Sequence, residues 1–492
     1  MSRLLNSAQL RLVEQQARAA PPSLMERAGQ QAANWIIENH PHISRILILA
    51  GPGNNGGDGL ILARVLLEKQ IYTKALPAYP SLSFSNEAAK ALRQLPDTAT
   101  LATLDPEDLD HYELIIDALF GIGLARPLDT TCASLSTMLA TSGKPVIALD
   151  VPSGINADTG SADPHAICAA ATLTFIADKP GLHTGAAVDY CGEIHCLDLG
   201  LPETALPAST THLIDAARIS TAASSLRRMR DSHKGRHGTV QVVGGNDGMQ
   251  GAGLLAARAA LHAGAGKVRL LQLANQPPGI DPLYPEIMCH AWTDGQPFMS
   301  DVSHRVIGPG MGCDSRSRAL LADLLSSPEP AVIDADALNL IAQNAELGHL
   351  LCQRDESASI ITPHPLEGAR LLGMSCHDVQ LDRLHAAKML SQKFNVVCVL
   401  KGAGTIIATP DGACHINSSG NAALASAGQG DILAGCIAAL WAQGAAACEA
   451  ACLAVYVHGK GADSWRAENP LGLGLDSGET LRRLRASLNQ LT

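Results

Sequence analysis

A short glycine-rich motif near the C-terminus carries a carboxylate that could act as a general base. The motif is Gly428-Gln429-Gly430-Asp431, and an apolar helical pattern over residues 432–441 follows it. Free backbone N–H groups at a helix start bind anions, and an aspartate beside them can accept a proton from a hydroxyl that attacks a phosphoryl group. The partial positive charge of the helix start favours an ionised Asp431. The alternative interpretation is a glycine turn with an aspartate that caps the helix.

Other loops of the C-terminal half place glycines and polar residues beside short apolar runs. Because ligands of α/β sheets bind at the carboxyl ends of strands, such loops are candidates for one shared site. Together they favour the catalytic interpretation of Asp431. The segments are His237–Thr239, Val243–Asn246, Gly251–Ala252, Gly308–Gly312, Asp334–Asn339, Thr362–Glu367 and Lys401–Thr405.

The N-terminal half has a glycine-rich loop, Gly51–Gly59, between an apolar run and a helical pattern. The Gly-x-Gly-x-x-Gly spacing that starts at Gly51 matches the fingerprint of dinucleotide-binding Rossmann domains. Such a site also needs an acidic residue at the end of the next strand to bind ribose, but the run over residues 71–76 ends in Leu-Pro. An ionised Asp58 would also repel a pyrophosphate. A dehydrogenase is therefore the weaker hypothesis.

Oxygen-bearing side chains follow three predicted strands of the N-terminal half. Because parallel strands end at one edge of their sheet, these side chains are expected to converge. Clustered oxygen ligands suit a hard cation, which would also relieve the repulsion between carboxylates. Taken one at a time, the same loops fit turn-forming Asp and Asn. The groups are Asn54, Asn55 and Asp58, then Asp117, then Asp150 and Ser153.

Alternating strand and helix patterns predict an α/β fold in each half. Ser23 and Glu26 have the spacing of a capping box, which predicts a helix running to about Glu38. Strand candidates are residues 46–49, 114–116 and 146–149, then 240–243, 268–271, 306–307, 332–333, 360–361 and 396–400.

The periodicity weakens between residues 201 and 225, where small and polar side chains dominate. This change predicts a domain boundary near residue 215. The expected domains are residues 1–215 and 220–492.

The composition argues against two classes of partner. The net charge is −11, and the chain has only 4 Trp, 6 Tyr and 5 Phe, so nucleic acid is not an expected partner. The apolar segment 432–457 is rich in Ala and Gly and is interrupted by Gln443 and Glu449, which favours buried helices over a membrane span. The N-terminus has no signal-peptide pattern, and the 13 cysteines form no regular framework, so a cytoplasmic protein is expected.

Four motifs of the N-terminal half resemble the NAD(P)H-hydrate epimerase family over roughly residues 5–215. They are SLMERAG, GPGNNGGDG, the DALFGIG segment and DVPSG, in the family's order. The resemblance implies potassium ligands at Asn55, Asp117 and Ser153. Asp150 is our candidate for the acid/base. The resemblance implies contacts to the hydrated nucleotide at Asn54, Asn55, Gly56, Gly57, Asp58, Gly121, Ile122, Gly123, Leu124, Ala125, Arg126, Pro127 and Asp150.

The C-terminal loops resemble the NAD(P)H-hydrate dehydratase family, a branch of the ribokinase-like fold, over roughly residues 225–490. Thr-Pro-His-Pro and Asp-Ala-Asp-Ala-Leu-Asn favour this branch over sugar, pyridoxal or thiazole kinases. Gln429 is bulkier than the small residue expected there. His364 also fits a strand-end histidine whose hydrogen bonds are satisfied locally. The resemblance implies hydrated-nucleotide contacts at Ala252, Gly310, His364 and Asp431, and adenine-nucleotide contacts at Lys401, Gly402, Ala403, Gly404, Thr405 and Gly430.

These resemblances predict an N-terminal Rossmann-like three-layer domain and a C-terminal ribokinase-like three-layer domain. The first would interconvert the R and S hydrates of NADH and NADPH, and the second would dehydrate the S hydrate. Magnesium would accompany the nucleotide. ADP, converted to AMP and phosphate, is implied by resemblance alone, with ATP as the alternative. A homo-oligomer is expected.

Three alternatives remain open. The C-terminal half could be a small-molecule kinase that keeps its phosphorylated product. The N-terminal half could be a ligand-binding or protein-interaction module without catalysis. The whole chain could be a dehydrogenase, which the missing ribose-binding acid argues against.

Overall fold

Each half of the chain folds around its own β-sheet. The computed structural model describes residues 3–17, 21–79, 84–124, 126–224, 226–299 and 301–491. The chain divides between Thr211 and His212 into two compact units.

The described part of the N-terminal unit contains a parallel sheet of six strands in the order β2-β1-β3-β4-β5-β6. Its strands are four to six residues long, and the apolar strands β1, β3 and β4 match the predicted strands. They are β1 (Arg45–Ala50), β2 (Tyr72–Pro77), β3 (Leu114–Ala118), β4 (Val146–Leu149), β5 (Ala171–Phe175) and β6 (Glu193–Leu197).

Helices α1 to α5 belong to the same unit. The Ser23 hydroxyl accepts a hydrogen bond from the Glu26 N–H, and helix α2 follows, which confirms the predicted helix start. Helix α3 begins at Asn54, so residues 51–53 of the predicted glycine-rich loop connect it to β1 and residues 54–59 form its first turns. The helices are α1 (Ser7–Ala17), α2 (Leu24–Asn39), α3 (Asn54–Glu68), α4 (Asn86–Arg93) and α5 (Thr130–Ser142).

The described part of the C-terminal unit contains a ten-stranded sheet in the order β10-β9-β8-β11-β12-β13-β14-β15-β16-β7. Neighbours from β10 to β14 are parallel, and β14, β15 and β16 pair antiparallel. The strands are β7 (Thr211–Ile214), β8 (Thr239–Gly244), β9 (Lys267–Gln272), β10 (Met288–Ala291), β11 (His304–Ile307), β12 (Ala331–Ile333), β13 (Ser359–Ile361), β14 (Val397–Leu400), β15 (Ile406–Ala408) and β16 (Cys414–Asn417).

Strand β7 precedes the expected domain boundary near residue 215, yet it forms the edge of the C-terminal sheet next to β16. Periodicity over four residues is too short to reveal such an edge strand in a segment of small and polar residues. All six predicted strands of this half are present as β8, β9 and β11 to β14.

Eleven helices are described in the C-terminal unit, and two of them form most of the apolar segment 432–457. Gly435 of α14 lies against α7, where a Cβ atom would stand 2.0 Å from the Ala256 carbonyl oxygen, so only glycine permits this approach. The helices are α6 (Ala216–Ser224), α7 (Gln250–His262), α8 (Ser315–Leu325), α9 (Asp336–Gln343), α10 (Ala345–Cys352), α11 (Pro365–Leu372), α12 (Cys376–Leu381), α13 (Arg383–Phe394), α14 (Gln429–Ala442), α15 (Ala447–Glu468) and α16 (Ser477–Asn489).

Residues 432–457 contribute the central part of the core of this unit, as the sequence predicted for buried helices. Among the described residues, no helix combines the length and the apolar character needed to cross a membrane.

Candidate active sites

A cavity of about 600 Å³ lies at the carboxyl ends of β1, β3 and β4 in the N-terminal unit. Helices α1 and α4 contribute to its walls through Glu14 and Glu87, neither of which was predicted. The predicted substrate residues that line it are Asn54, Asn55, Asp58, Gly121, Ile122, Gly123, Leu124 and Asp150.

Four other predicted contacts of this unit are not on the cavity wall. Gly56 and Gly57 lie in close contacts, since a Cβ atom would stand 1.8 Å from the Gly51 carbonyl oxygen and 2.4 Å from the Met25 methyl group, respectively. Arg126 and Pro127 are exposed outside the lining residues. The predicted contact at Ala125 lies outside the described residues.

The three predicted potassium ligands lie at neighbouring strand ends. The Ser153 backbone N–H and hydroxyl donate to Asp117 Oδ2 and Oδ1 at 2.8 and 2.7 Å. The Asn55 amide donates to the Leu149 carbonyl at 3.2 Å, while the buried Asn55 Oδ1 has no hydrogen-bond partner among the described residues. Burial raises the pKa of Asp117 to about 6. A buried acceptor without a donor and a buried carboxylate are both features that a bound cation would satisfy.

Asp150 is held from two sides at the end of β4. Its backbone has a φ of 66°, and its Oδ2 accepts from the Ile122 N–H at 3.1 Å. Its Oδ1 lies 2.9 Å from the ammonium of Lys179, a residue that the sequence reasoning missed. Lys179 comes shortly after β5, which ends at the same edge of the sheet as β4. The apolar run of β5 was therefore the sequence signal that could have predicted Lys179 as a site residue.

Two other carboxyls of the cavity are shifted towards the neutral form. Burial, followed by the charges of Asp150 and Glu14, raises the pKa of Asp58 well above its usual value. Burial and then Asp150 also raise the pKa of Glu14. The sequence did not reveal this burial of Asp58.

In the C-terminal unit, Lys401 lies beside two carboxyl groups. Its Nζ donates to Asp334 Oδ1 at 2.7 Å and lies 3.9 Å from Glu367 Oε2. A Cβ atom on Gly430 would stand 3.3 Å from the same Nζ, so the two predicted nucleotide-binding segments meet here. Burial raises the pKa of Glu367 to about 7.

Asp431 lies in the first turn of α14, as predicted, but the helix start does not keep its pKa low. Burial, followed by the charge of Asp334, raises the pKa of Asp431 to about 7, against the opposing effect of Lys401. Desolvation of the carboxylate outweighs the helix start here. A pKa close to neutral suits a general base, which must accept a proton at the working pH and release it afterwards.

Gln429 anchors the loop that carries Asp431. Its amide donates to Ser426 Oγ at 3.2 Å and to Thr480 Oγ1 at 3.0 Å, and its Oε1 accepts from His458 Nε2 at 3.1 Å. Burial lowers the pKa of His458 to about 4, so this histidine is neutral near neutral pH. The bulk of Gln429 is thus explained by a hydrogen-bond network in the interior of the unit.

His364 caps helix α11, which is the local alternative that the sequence left open. Its Nδ1 accepts from the Leu366 and Glu367 N–H groups at 3.2 and 3.3 Å, and its own N–H donates to Glu367 Oε2 at 2.8 Å. Burial, and then Lys401, lower its pKa. The ring is still 46% exposed, so capping leaves a surface of the imidazole free for a ligand.

Of the other predicted contacts of this unit, Gly310 and the Lys401–Thr405 segment lie in loops, and Ala252 lies in the first turn of α7. Gly310 has a φ of 58°, and a Cβ atom there would stand 3.1 Å from the Ala252 Cβ, so these two predicted contacts are neighbours. Arg383 donates to the carbonyls of Leu400 and Lys401 at 3.3 and 3.2 Å, which fixes the start of the Lys401–Thr405 loop.

Comparisons with known proteins agree with this architecture. A family model described as NAD(P)H-hydrate dehydratase matches residues 240–481, and one described as YjeF-related protein N-terminus matches residues 22–181. The chain is 38% identical over 473 residues to the bifunctional NAD(P)H-hydrate repair enzyme Nnr of Coxiella burnetii, covering 95% of this chain and 94% of that protein. It is also 38% identical over 448 residues to the Escherichia coli enzyme of the same name, covering 89% and 84%.

Two solved structures resemble the C-terminal unit. One is the ADP/ATP-dependent NAD(P)H-hydrate dehydratase of Bacillus subtilis, co-crystallised with ATP/Mg²⁺, with a TM-score of 0.50 and 30% identity over 58% of this chain and 100% of that chain. The other is a ribokinase-like superfamily protein of Enterococcus faecalis, with a TM-score of 0.50 and 23% identity over 58% and 98%.

The fold and these matches define a two-domain α/β enzyme whose second domain is ribokinase-like. The chain belongs to the family of bifunctional NAD(P)H-hydrate repair enzymes, with the epimerase domain first and the dehydratase domain second. The predicted family, fold class and pair of activities are confirmed, and a kinase fused to a binding module is not favoured.

Proposed function

We propose that Asp431 starts the dehydration of the S hydrate of NADH or NADPH. It accepts the proton of the ring hydroxyl, whose oxygen attacks the terminal phosphoryl group of ADP and releases AMP. The ring nitrogen then expels phosphate, and loss of a proton from the adjacent carbon restores the double bond. The observation that supports this is the buried Asp431 beside Gly430 and Lys401, where a nucleotide phosphate would meet free N–H groups of α14.

Lys401 to Thr405 and Gly430 are proposed to bind the adenine nucleotide, and Ala252, Gly310 and His364 the hydrated nucleotide. Magnesium is proposed to neutralise the nucleotide phosphates, as the B. subtilis relative was crystallised with ATP/Mg²⁺. ADP is the proposed co-substrate and ATP the alternative.

We further propose that the cavity of the N-terminal unit inverts the hydroxyl-bearing carbon of the hydrated ring. In one route the ring nitrogen expels the hydroxyl, which then adds back to the other face of the planar iminium carbon. In the other route the hydroxyl loses its proton and becomes an aldehyde as the carbon–nitrogen bond breaks, and the nitrogen then closes the ring on the other face of the carbonyl carbon, whose oxygen regains the proton. Asp150 is the proposed acid/base, because it lines the cavity and lies at a strand end. Potassium is proposed at Asn55, Asp117 and Ser153, on the strength of the unpartnered Asn55 Oδ1 and the buried Asp117.

The test of both proposals uses the full chain with a mixture of NADH-hydrate epimers and ADP. We expect complete recovery of NADH absorbance, with AMP and phosphate released in equal amounts to the NADH formed. A stable phosphorylated product would instead support a kinase. ATP in place of ADP, in a parallel reaction, identifies the preferred co-substrate.

One prediction concerns the division of labour between the domains. The fragment 211–492, which keeps β7 whole, is expected to fold and to consume only the S hydrate. Adding the full chain carrying Asp431→Asn, which retains only the epimerase site, should then allow the R hydrate to be consumed. Consumption of both epimers by the fragment alone at equal rates would remove the reason for the epimerase domain.

A second prediction concerns potassium. Asp117→Asn should abolish the stimulation of epimerisation by potassium and the potassium-dependent rise in melting temperature, while dehydration of the S hydrate is unchanged. The reason is that the buried carboxylate would supply the negative charge of the site. Differential scanning fluorimetry in potassium chloride and in tetramethylammonium chloride measures the shift. A variant that still responds to potassium as the parent does would exclude this site.

We also propose a cytoplasmic protein, because all 13 cysteines are free thiols in the structure. The predicted homo-oligomer stays a prediction.

A further inference from the structure

Lys179 places an ammonium group on the wall of the epimerase cavity. Its side chain is 1% exposed, and its Nζ lies 2.9 Å from Asp150 Oδ1. A buried ammonium is costly unless an anion and hydrogen-bond acceptors compensate it. A buried ammonium group is therefore expected to have a role that requires its positive charge.

The surroundings of Lys179 fix the ammonium rather than merely accommodate it. Its Nζ donates to the Phe175 and Ala177 carbonyls at 3.3 Å and to Thr174 Oγ1 at 2.5 Å. These two carbonyls flank Ile176, whose φ is 70°, so the lysine also stabilises an unusual turn at the end of β5.

The two oxygens of the Asp150 carboxylate are held by different partners. One carboxylate oxygen forms an ion pair with the Lys179 ammonium, and the other accepts a hydrogen bond from the Ile122 N–H. The cavity also contains the acidic side chains of Glu14 on α1, Asp58 on α3 and Glu87 on α4, and the basic side chain of Arg11 on α1. In such an acidic cavity, the ammonium in contact with Asp150 gives this one carboxylate a compensating charge.

We infer that Lys179 is a positioning residue of the epimerase, which directs Asp150 towards the substrate and supplies the positive charge that pairs with its carboxylate. The inference rests on the proposed role of Asp150 as the acid/base. It distinguishes Asp150, which contacts an ammonium group, from Asp58, whose pKa is raised by burial and then by the charge of Asp150. Pairs of titratable groups with opposite environments commonly divide acid and base roles in this way.

The test measures epimerisation by the full chain carrying Lys179→Met across a range of pH. We expect kcat to fall about 100-fold, as for a misplaced reacting group, with little change in KM. We also expect the acid limb of the profile of kcat/KM to move to higher pH, because loss of a nearby positive charge favours the protonated carboxyl. Lys69→Met is the matched control, because it makes the same substitution at an exposed lysine at the end of α3.

Dehydration of the S hydrate by the same preparation, together with its melting temperature, reports whether the chain is folded. A Lys179→Met enzyme with the parent's kcat and acid limb would overturn the inference. If that variant does not fold, Lys179→Arg and Thr174→Val displace the positive charge without removing it. For these two variants we expect a lower kcat and an acid limb at the same pH as in the parent. An unchanged kcat in both variants overturns the inference.

Asp150→Asn, assayed in parallel, separates this inference from the proposed function. An active Asp150→Asn enzyme contradicts the role of Asp150 itself, and with it any action of Lys179 through Asp150. An inactive Asp150→Asn enzyme together with an unimpaired Lys179→Met enzyme contradicts only the inference about Lys179.

Discussion

Asp431→Asn is expected to lower the rate of dehydration by roughly 10²–10⁴-fold, the usual cost of losing a general base. The substitution keeps the size of the side chain and its ability to accept a hydrogen bond, but the amide does not accept the hydroxyl proton. Epimerisation should be unchanged, because its proposed residues lie in the other domain. The affinity for the nucleotide should change little, since Lys401 to Thr405 and Gly430 are retained.

The pH dependence of the parent enzyme gives a second measure of the same residue. Because burial raises the pKa of Asp431 to about 7, kcat/KM for dehydration should rise with pH and level off above about 7, as the carboxylate form becomes complete. Glu367 has a pKa of about 7 as well. The variant Glu367→Gln therefore tests which carboxyl group controls the acid limb of the pH profile, where kcat/KM rises with pH. A limb that persists in Glu367→Gln assigns it to Asp431.

Stability separates the catalytic role of Asp431 from a helix cap. A cap predicts that Asp431→Asn loses about 1 kcal/mol and keeps its turnover. Burial predicts a different result, because a folded-state pKa above the unfolded value near 3.8 makes ionisation unfavourable to the fold. This penalty is absent below about pH 4 and grows until about pH 7. The difference in the free energy of unfolding between Asp431→Asn and the parent should therefore be more favourable to the variant at pH 8 than at pH 4. A destabilised but fully active variant would remove Asp431 from the mechanism.

Asp150→Asn is expected to lower epimerisation by roughly 10²–10⁴-fold, while dehydration of the S hydrate continues at the parent rate. Asparagine tolerates positive φ, so the 66° backbone angle at this position is not the reason for any loss. The assay starts from pure R hydrate and follows NADH formation with excess parent C-terminal fragment, so that epimerisation limits the rate.

Asp110→Asn provides the matched control for this prediction, because Asp110 is an exposed aspartate of the same domain. Its epimerase rate should equal that of the parent. Normal epimerisation by Asp150→Asn would require another acid/base in the cavity, and Glu14 and Asp58 would be the remaining carboxyls to test.

The sequence by itself determined which loops belong to the two sites. Glycine and aspartate placed directly after apolar runs were enough to predict that residues 54–58, 117–123 and 150–153 end neighbouring strands, and the structure has them after β1, β3 and β4. The Gly428–Asp431 motif likewise predicted the start of α14. These predictions succeed because turn geometry and hydrophobic periodicity are local properties of the chain.

Only the tertiary structure decided the ionisation and the partners of the site residues. Lys179 pairs with a residue 29 positions earlier, and Gln429 with Thr480 in a different helix. The pKa of Asp431 is raised although its helix start alone predicts the reverse. Burial and long-range contacts arise when separate elements pack together, and the free energy of a charge depends on those surroundings more than on its neighbours in sequence.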